Sequence, residues 1–132
     1  MLWQPLINSP DRNRKMMPIL LKILSALKCA TSVPAIEHDL FVEAALHGHC
    51  HVIDVREPHE FVAGRIVNAQ NHPLSVFNPA LLPSDKPVVL VCQAGGRSAR
   101  ALQAAHAAGR RDVVHYAAGT GGWIARGGRV DR

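Results

Sequence analysis

The spacing of hydrophobic residues predicts alternating helices and strands from about residue 35 onward. Residues 37–46 carry apolar side chains at i, i+4 spacing, which predicts an amphipathic helix that Gly48 ends. The β-branched run 52–55 predicts a short buried strand. The continuous apolar run 88–91 is typical of a central strand in a parallel sheet.

The second half of the chain continues this alternation. The Ala-rich stretch 98–108 predicts a helix with Ser98 as a candidate N-cap and Gly109 beyond its end. A further strand is predicted over 113–116, and shorter helical turns over 58–63 and around Trp123. Strands alternating with helices predict the α/β class, with a parallel sheet of about five strands covered by helices on both faces.

The first 34 residues have a different pattern. Residues 16–30 are apolar, and a signal peptide is disfavoured because Lys22 interrupts this stretch, which is also too short to span a membrane. We interpret residues 1–34 as a basic and apolar extension that precedes one domain over 35–132. Membrane association of residues 12–30 is an alternative that we do not favour.

The charge and the cysteine content of the chain limit which binding partners and which cellular compartment we expect for the protein. The 132-residue chain has a formal net charge of +5, and much of the excess lies between residues 12 and 36, where no acidic residue occurs. No Lys/Arg run with interleaved aromatic residues appears elsewhere, so we expect no nucleic-acid partner. The three cysteines Cys29, Cys50 and Cys92 are an odd count with no close pairing, which disfavours a disulfide framework and favours a reducing, cytoplasmic location.

The candidate chemistry lies where the strand 88–91 ends. In parallel sheets, ligands bind beyond the carboxyl ends of the strands, and Cys92 occupies that place. The segment 93–97 that follows, Gln-Ala-Gly-Gly-Arg, favours a loop whose backbone N–H groups point inward and stabilise an anion. These groups, the next helix and Arg97 should lower the pKa of Cys92 and activate its thiolate. The competing interpretation is an inert cysteine in the core.

Three segments in order resemble the signatures of rhodanese-like domains. The segment Cys92-Gln93-Ala94-Gly95-Gly96-Arg97-Ser98 is similar to the active-site loop of single-domain thiosulfate:cyanide-type sulfurtransferases. The segment 54–61 followed by Gly64 resembles the family's first signature, and 119–123 its C-terminal Gly-Trp segment. The resemblance covers roughly residues 35–130 and implies a three-layer α/β/α fold.

One segment departs from the family pattern. Where the family usually reads Gly-His-Ile-Pro-Gly-Ala, residues 64–69 read Gly-Arg-Ile-Val-Asn-Ala. This segment shapes a turn near the site, so the loss of proline and glycine bears on local geometry more than on chemistry.

The resemblance implies transfer of a sulfane sulfur through a persulfide on Cys92, with no metal or organic cofactor. The implied donor is a small anion such as thiosulfate, and the acceptor is cyanide, a thiol or a protein cysteine. The implied substrate-binding residues are the loop residues Gln93, Ala94, Gly95, Gly96, Arg97 and Ser98. The resemblance also implies a structural ion pair between Arg56 and Glu60, with Asp54 bracing nearby backbone.

Three other functions remain open at this point. A catalytically silent rhodanese-type interaction module would share the fold, although the intact Cys92 and glycine loop disfavour it. A cysteine phosphatase or arsenate reductase-like enzyme is less favoured, because phosphatases of similar fold have a longer loop than the four residues between Cys92 and Arg97. His49 and His51 could share one side of a zinc site, but no carboxylate or second cysteine lies at ligand spacing.

Overall fold

The computed structural model describes residues 34–132. Our interpretation of the N-terminal extension, including membrane association of residues 12–30, therefore lies outside the described residues. Within the described part, none of the helices has the length and apolar character needed to cross a bilayer.

All seven predicted elements form close to their expected places, and several short elements lie between them. In chain order the elements are α1 (His38–Leu46), β1 (His51–Asp54), α2 (Pro58–Ala63), β2 (Arg65–Ile66), β3 (Ala69–Asn71), β4 (Val88–Val91), α3 (Gly96–Ala107), β5 (Val113–His115), α4 (Gly119–Ala125) and β6 (Val130–Asp131). Two 3₁₀ turns, Leu74–Val76 and Pro79–Leu81, connect β3 to β4.

The central sheet is parallel and has four strands in the order β3-β1-β4-β5. Beyond β5, a single parallel bridge between Ala35 and His115 extends the sheet by one residue, so the expected five strands become four and a bridge. The strands β2 and β6 pair separately and antiparallel. They contain two residues each, which is too short for a periodic pattern to predict.

The central strand β4 is buried on both faces because helices cover both sides of the sheet. Val89 and Val91 pack with Phe41 of α1 and Trp123 of α4 on one face. On the other face, Leu90 and Cys92 belong to a cluster that includes the α3 residues Ala101, Leu102 and Ala105. All four residues of β4 are fully buried, as its unbroken apolar sequence predicts. This is the expected three-layer α/β/α arrangement.

The parallel sheet places three chemically distinct residues at one edge. β1 ends at Asp54, β4 ends just before Cys92, and β5 ends at His115. In the register of β4 and β5, His115 lies beside Leu90, two residues before the cysteine. The carboxyl edge of the sheet therefore gathers a carboxylate, a thiol and an imidazole.

The altered turn after α2 keeps a conformation that normally favours glycine. Asn68 has φ 66°, and it is the one non-glycine residue with positive φ among residues 34–132. Asparagine tolerates this left-handed region better than most residues. Its side-chain amide also donates to the carbonyl of Ala45 at 3.2 Å. The substitution of the family's usual glycine by Asn68 is thus accommodated by the fold.

Candidate active site

The loop after β4 turns directly into α3 through a left-handed glycine. Gly95 has φ 99° and is the N-cap of α3, so the helix begins at Gly96. A Cβ atom at Gly95 would collide with the backbone oxygen of Ala117, which also excludes larger residues. The prediction that Ser98 caps this helix is wrong, because Ser98 lies inside the first turn with its side chain buried.

The Cys92 sulfur lies at the bottom of this loop. Cys92 is 1% exposed, and its sulfur accepts the N–H of Gly95 at 3.1 Å. The Ser98 hydroxyl oxygen lies 3.6 Å from the sulfur, within hydrogen-bond range for this large atom. Burial raises the pKa of Cys92, but the Ser98 hydroxyl and the N–H groups of Ser98, Ala94 and Gly95 outweigh it, so the net pKa is lowered. The expected activated thiol therefore has a structural basis.

His115 joins this site, although nothing in the sequence analysis assigned it a partner. Its Nδ1 lies 2.9 Å from the Ser98 hydroxyl oxygen, and both side chains are buried. The position of His115 could have been inferred from the sequence, because a residue at the end of a parallel strand next to β4 must lie at the same edge of the sheet as Cys92. Burial lowers the pKa of His115, which favours a neutral ring.

Arg97 has a partner that the sequence analysis did not assign to it. Its two terminal nitrogens donate to the two carboxylate oxygens of Glu60 in α2, at 2.7 and 2.9 Å. The hydrogen bonds from Arg97 lower the pKa of Glu60 to about 2, so this pair stays ionised throughout the neutral range. The implied ion pair between Arg56 and Glu60 is wrong. Glu60 in α2 instead pairs with Arg97 in the first turn of α3.

Arg56 pairs with Asp54 instead. The guanidinium donates to both Asp54 oxygens at 2.8–3.0 Å and to the carbonyl of Gly64 at 2.7 Å. Asp54 also accepts the backbone N–H of Arg56 at 2.9 Å, so it braces backbone as the resemblance implied. This buried pair ties the end of β1 to the end of α2, and its hydrogen bonds among residues 34–132 do not involve the thiol.

The rest of the loop combines exposed residues with a firmly held backbone. Gln93, Ala94 and Gly96 are exposed, so ligands can approach the loop there. The N–H of Thr120 donates to the Cys92 carbonyl at 2.8 Å, and the N–H of Gly121 donates to the Gln93 carbonyl at 3.1 Å. The start of α4 therefore fixes the outward side of the loop and leaves its inward N–H groups free for the sulfur.

The histidine cluster lies around the start of β1, and its members contact other side chains. His51 bonds Asp85 at 2.7 Å, and the His49 ring stacks on His47. Across residues 34–132, no group of three His, Cys, Asp or Glu side chains lies close enough to hold a metal ion.

Sequence and structure comparisons agree on the class of protein. A family model described as Rhodanese-like domain matches residues 40–126, and the chain belongs to this family. A solved rhodanese-related protein from Thermoplasma volcanium superposes with a TM-score of 0.65 at 30% identity, covering 74% of this chain and 96% of that one. The human single-domain sulfurtransferase TSTD1 superposes with a TM-score of 0.60 at 27% identity, covering 72% and 98%.

A curated relative also carries sulfurtransferase in its name. The chain is 43% identical over 76 residues to the probable adenylyltransferase/sulfurtransferase MoeZ of Mycobacterium tuberculosis, covering 54% of this chain and 19% of that protein. Matches to proteins of Synechocystis and Bacillus subtilis span 41% and 62% of those relatives. The chain thus spans less than two thirds of the curated relatives it matches, and its family is of the sulfurtransferase type.

The two described cysteines should differ strongly in reactivity. We expect iodoacetamide to modify Cys92 with a midpoint below the ordinary thiol pKa of about 8.5. Cys50 should stay unmodified in the folded protein, because burial raises its pKa to about 12. Peptide mass spectrometry over a pH series measures both rates. A Cys92 midpoint at or above 8.5 would contradict the activated thiolate.

Proposed function

We propose that this protein is a sulfurtransferase that carries a sulfane sulfur as a persulfide on Cys92. The observation that carries the proposal is the environment of the Cys92 sulfur. It lies at the end of β4, accepts the Gly95 N–H at 3.1 Å, and has a lowered pKa. A thiolate held in this way is a nucleophile at neutral pH, whereas a core cysteine such as Cys50 is not.

The first half-reaction loads the enzyme. The Cys92 thiolate attacks the outer sulfur of thiosulfate, and a new S–S bond forms between them. The original S–S bond of thiosulfate breaks, and its electron pair leaves with sulfite. The negative charge then resides on the terminal sulfur of the persulfide, where inward N–H groups of residues 94–98 stabilise it.

The second half-reaction returns the free thiolate. A nucleophile such as cyanide or a thiolate attacks the terminal sulfur, and the Cys92 S–S bond breaks with its electrons returning to Cys92. With cyanide the product is thiocyanate. The narrow access to Cys92, which is 1% exposed, favours a small donor or an acceptor sulfur presented at the end of a flexible chain. We place this chemistry in the cytoplasm, where thiols stay reduced.

Intact-protein mass spectrometry tests the proposal directly. After incubation with thiosulfate and removal of excess reagent, we expect a mass gain of one sulfur atom that disappears when cyanide is added. If prior alkylation of Cys92 prevents this mass gain, the added sulfur is located on Cys92. A protein that gains no sulfur from thiosulfate or from a low-molecular-weight persulfide would instead be the catalytically silent interaction module.

Arg97 is proposed to assist anionic donors through its charge. Its guanidinium borders the loop. The hydrogen bonds to Glu60 raise the pKa of Arg97, and the negative charge of Cys92 adds a smaller increase. A hydrogen bond to a charged group is worth about 1.5–3 kcal/mol, so Arg97→Ala should lower kcat/KM for thiosulfate roughly 10- to 100-fold. Arg97→Lys should recover only part of the lost kcat/KM, since lysine keeps the positive charge but lacks the planar guanidinium with its paired N–H donors.

The partner Glu60 provides a matched variant for this prediction. Glu60 engages both terminal nitrogens of Arg97, so Glu60→Gln removes a negative charge and frees the guanidinium. We expect a lower KM for thiosulfate in Glu60→Gln and a higher KM in Arg97→Ala. Steady-state thiocyanate formation measures both. If Arg97→Ala stays within about twofold of the wild-type rate, Arg97 serves only to hold α2 against α3.

A further inference from the structure

A buried chain of hydrogen-bonding groups leads from the reactive sulfur to the end of β5. The Ser98 oxygen lies 3.6 Å from the Cys92 sulfur and 2.9 Å from His115 Nδ1. Cys92 and Ser98 are almost fully buried, and His115 is 5% exposed. Cys92 belongs to the core cluster on the α3 side of the sheet, and His115 reaches Ser98 on that same side.

The Ser98 hydroxyl carries one proton and has three groups around it that could accept it. These are the Cys92 sulfur, His115 Nδ1 and the carbonyl oxygen of Gly95, which lies 3.2 Å away. If His115 Nδ1 carries a proton, it donates to Ser98 and no longer competes for the serine proton. A thiolate is a stronger acceptor than a neutral carbonyl, so the serine proton then points to Cys92.

We propose that His115 is a positioning residue that acts through Ser98 and orients the serine hydroxyl toward the Cys92 sulfur. This proposal rests on Cys92 as the reacting thiol and adds a residue that stabilises its thiolate without touching it. In the thiol state the chain reverses, so that Cys92 donates to Ser98 and Ser98 donates to Nδ1. The two states differ in the tautomer of a neutral His115.

The charges around this chain are already neutralised in pairs. From α3 and α2, Arg97 pairs with Glu60, and from β1, Asp54 pairs with Arg56. On the opposite side of the sheet, His38 bonds the Tyr116 hydroxyl at 2.7 Å. On the α3 side, His106 bonds the Val113 carbonyl. Burial lowers the pKa of His115, which favours a neutral ring. His115 therefore acts through its hydrogen bond and not through a positive charge.

Alkylation of Cys92 across a pH series tests the chain without requiring sulfur transfer. Ser98→Ala removes the direct donor and should raise the alkylation midpoint by roughly one to two pH units. His115→Leu leaves Ser98 in place but frees it to point elsewhere, so the midpoint should rise by roughly half a unit to one unit. His115→Asn should stay near wild type, because its amide can present an N–H where Nδ1 lies.

The double variant separates this role from a merely structural one. If His115 acts only through Ser98, then Ser98→Ala combined with His115→Leu should shift the midpoint no further than Ser98→Ala alone. His106→Leu is the matched control, since it removes another histidine contact to β5 without touching Ser98, and its midpoint should equal that of wild type. If His115→Leu does not fold, His115→Gln supplies the comparison, because its amide extends beyond the Nδ1 position.

Two results would overturn the proposal. One is an alkylation midpoint in His115→Leu or His115→Gln that equals that of the wild type. The other is a shift in the double variant that equals the sum of the shifts of Ser98→Ala and His115→Leu. The mass gain with thiosulfate distinguishes this failure from failure of the sulfurtransferase proposal. A protein that gains sulfur while His115→Leu alkylates normally would keep its function and lose only the positioning role.

Discussion

Cys92→Ser is expected to lose sulfur transfer completely. Serine keeps the size and hydrogen bonding of the side chain, but its hydroxyl is not ionised at neutral pH and cannot hold a persulfide. We expect the rate of thiocyanate formation from thiosulfate and cyanide to fall by more than roughly a thousandfold, to the rate without enzyme. The fold should persist, because the change removes no large side chain. Circular dichroism and thermal unfolding check this.

Cys50→Ser is the matched control for this loss. Cys50 is the other cysteine within residues 34–132, and it packs in the core cluster on the opposite side of the sheet from Cys92. Its high pKa leaves it as a thiol, so Cys50→Ser should keep wild-type turnover even if its stability falls. Turnover that survives in Cys92→Ser, or that disappears in a folded Cys50→Ser, would mean that the sulfur carrier is misassigned.

The elements that could be predicted from the sequence are those whose conformation depends on a pattern of neighbouring residues. The strand β4 is a continuous apolar run, and α1 has regular i, i+4 spacing, so each is recognisable without its neighbours. The glycine loop that positions Cys92 is likewise a contiguous segment. By contrast, β2, β3 and β6 have two or three residues each, and their conformation depends on partners that are distant in sequence.

Most polar contacts of the site could not be predicted from the sequence, because they too join residues that are distant along the chain. Glu60 and Arg97 are 37 positions apart, and Ser98 and His115 are 17 apart, so only the tertiary fold brings each pair together. Asp54 and Arg56 are two positions apart, yet the assignment of Arg56 to Glu60 was wrong. The bend after β1 folds the Arg56 side chain back onto its own strand, and no hydrophobic pattern reports such a bend.

Asp54→Ala is expected to be the most destabilising of the substitutions considered for this edge of the sheet. The Asp54 side chain is fully buried and that of Arg56 is 6% exposed. Removing the carboxylate leaves a buried guanidinium whose one remaining partner among residues 34–132 is the Gly64 carbonyl, which typically costs about 3–5 kcal/mol. Urea unfolding followed by circular dichroism measures the loss in free energy of unfolding.

The pair between Arg110 and Asp112 provides a matched control. It has the same two-residue spacing, but its side chains are 19% and 33% exposed, so water can replace the lost carboxylate. Arg110 also keeps its bonds to the carbonyls of Leu82 and Pro83. Asp112→Ala should therefore cost no more than about 1 kcal/mol.

A compensating substitution tests whether the unpaired charge is the cause. Asp54→Ala combined with Arg56→Met replaces the buried pair by apolar side chains and should recover part of the lost stability, because no charge remains buried. If Asp54→Ala costs no more than Asp112→Ala, water reaches Arg56 and the pair does not stabilise the fold. If the double variant is no more stable than Asp54→Ala alone, the loss arises from the backbone N–H of Arg56 that Asp54 accepts, and Asp54 acts as a brace for the turn after β1.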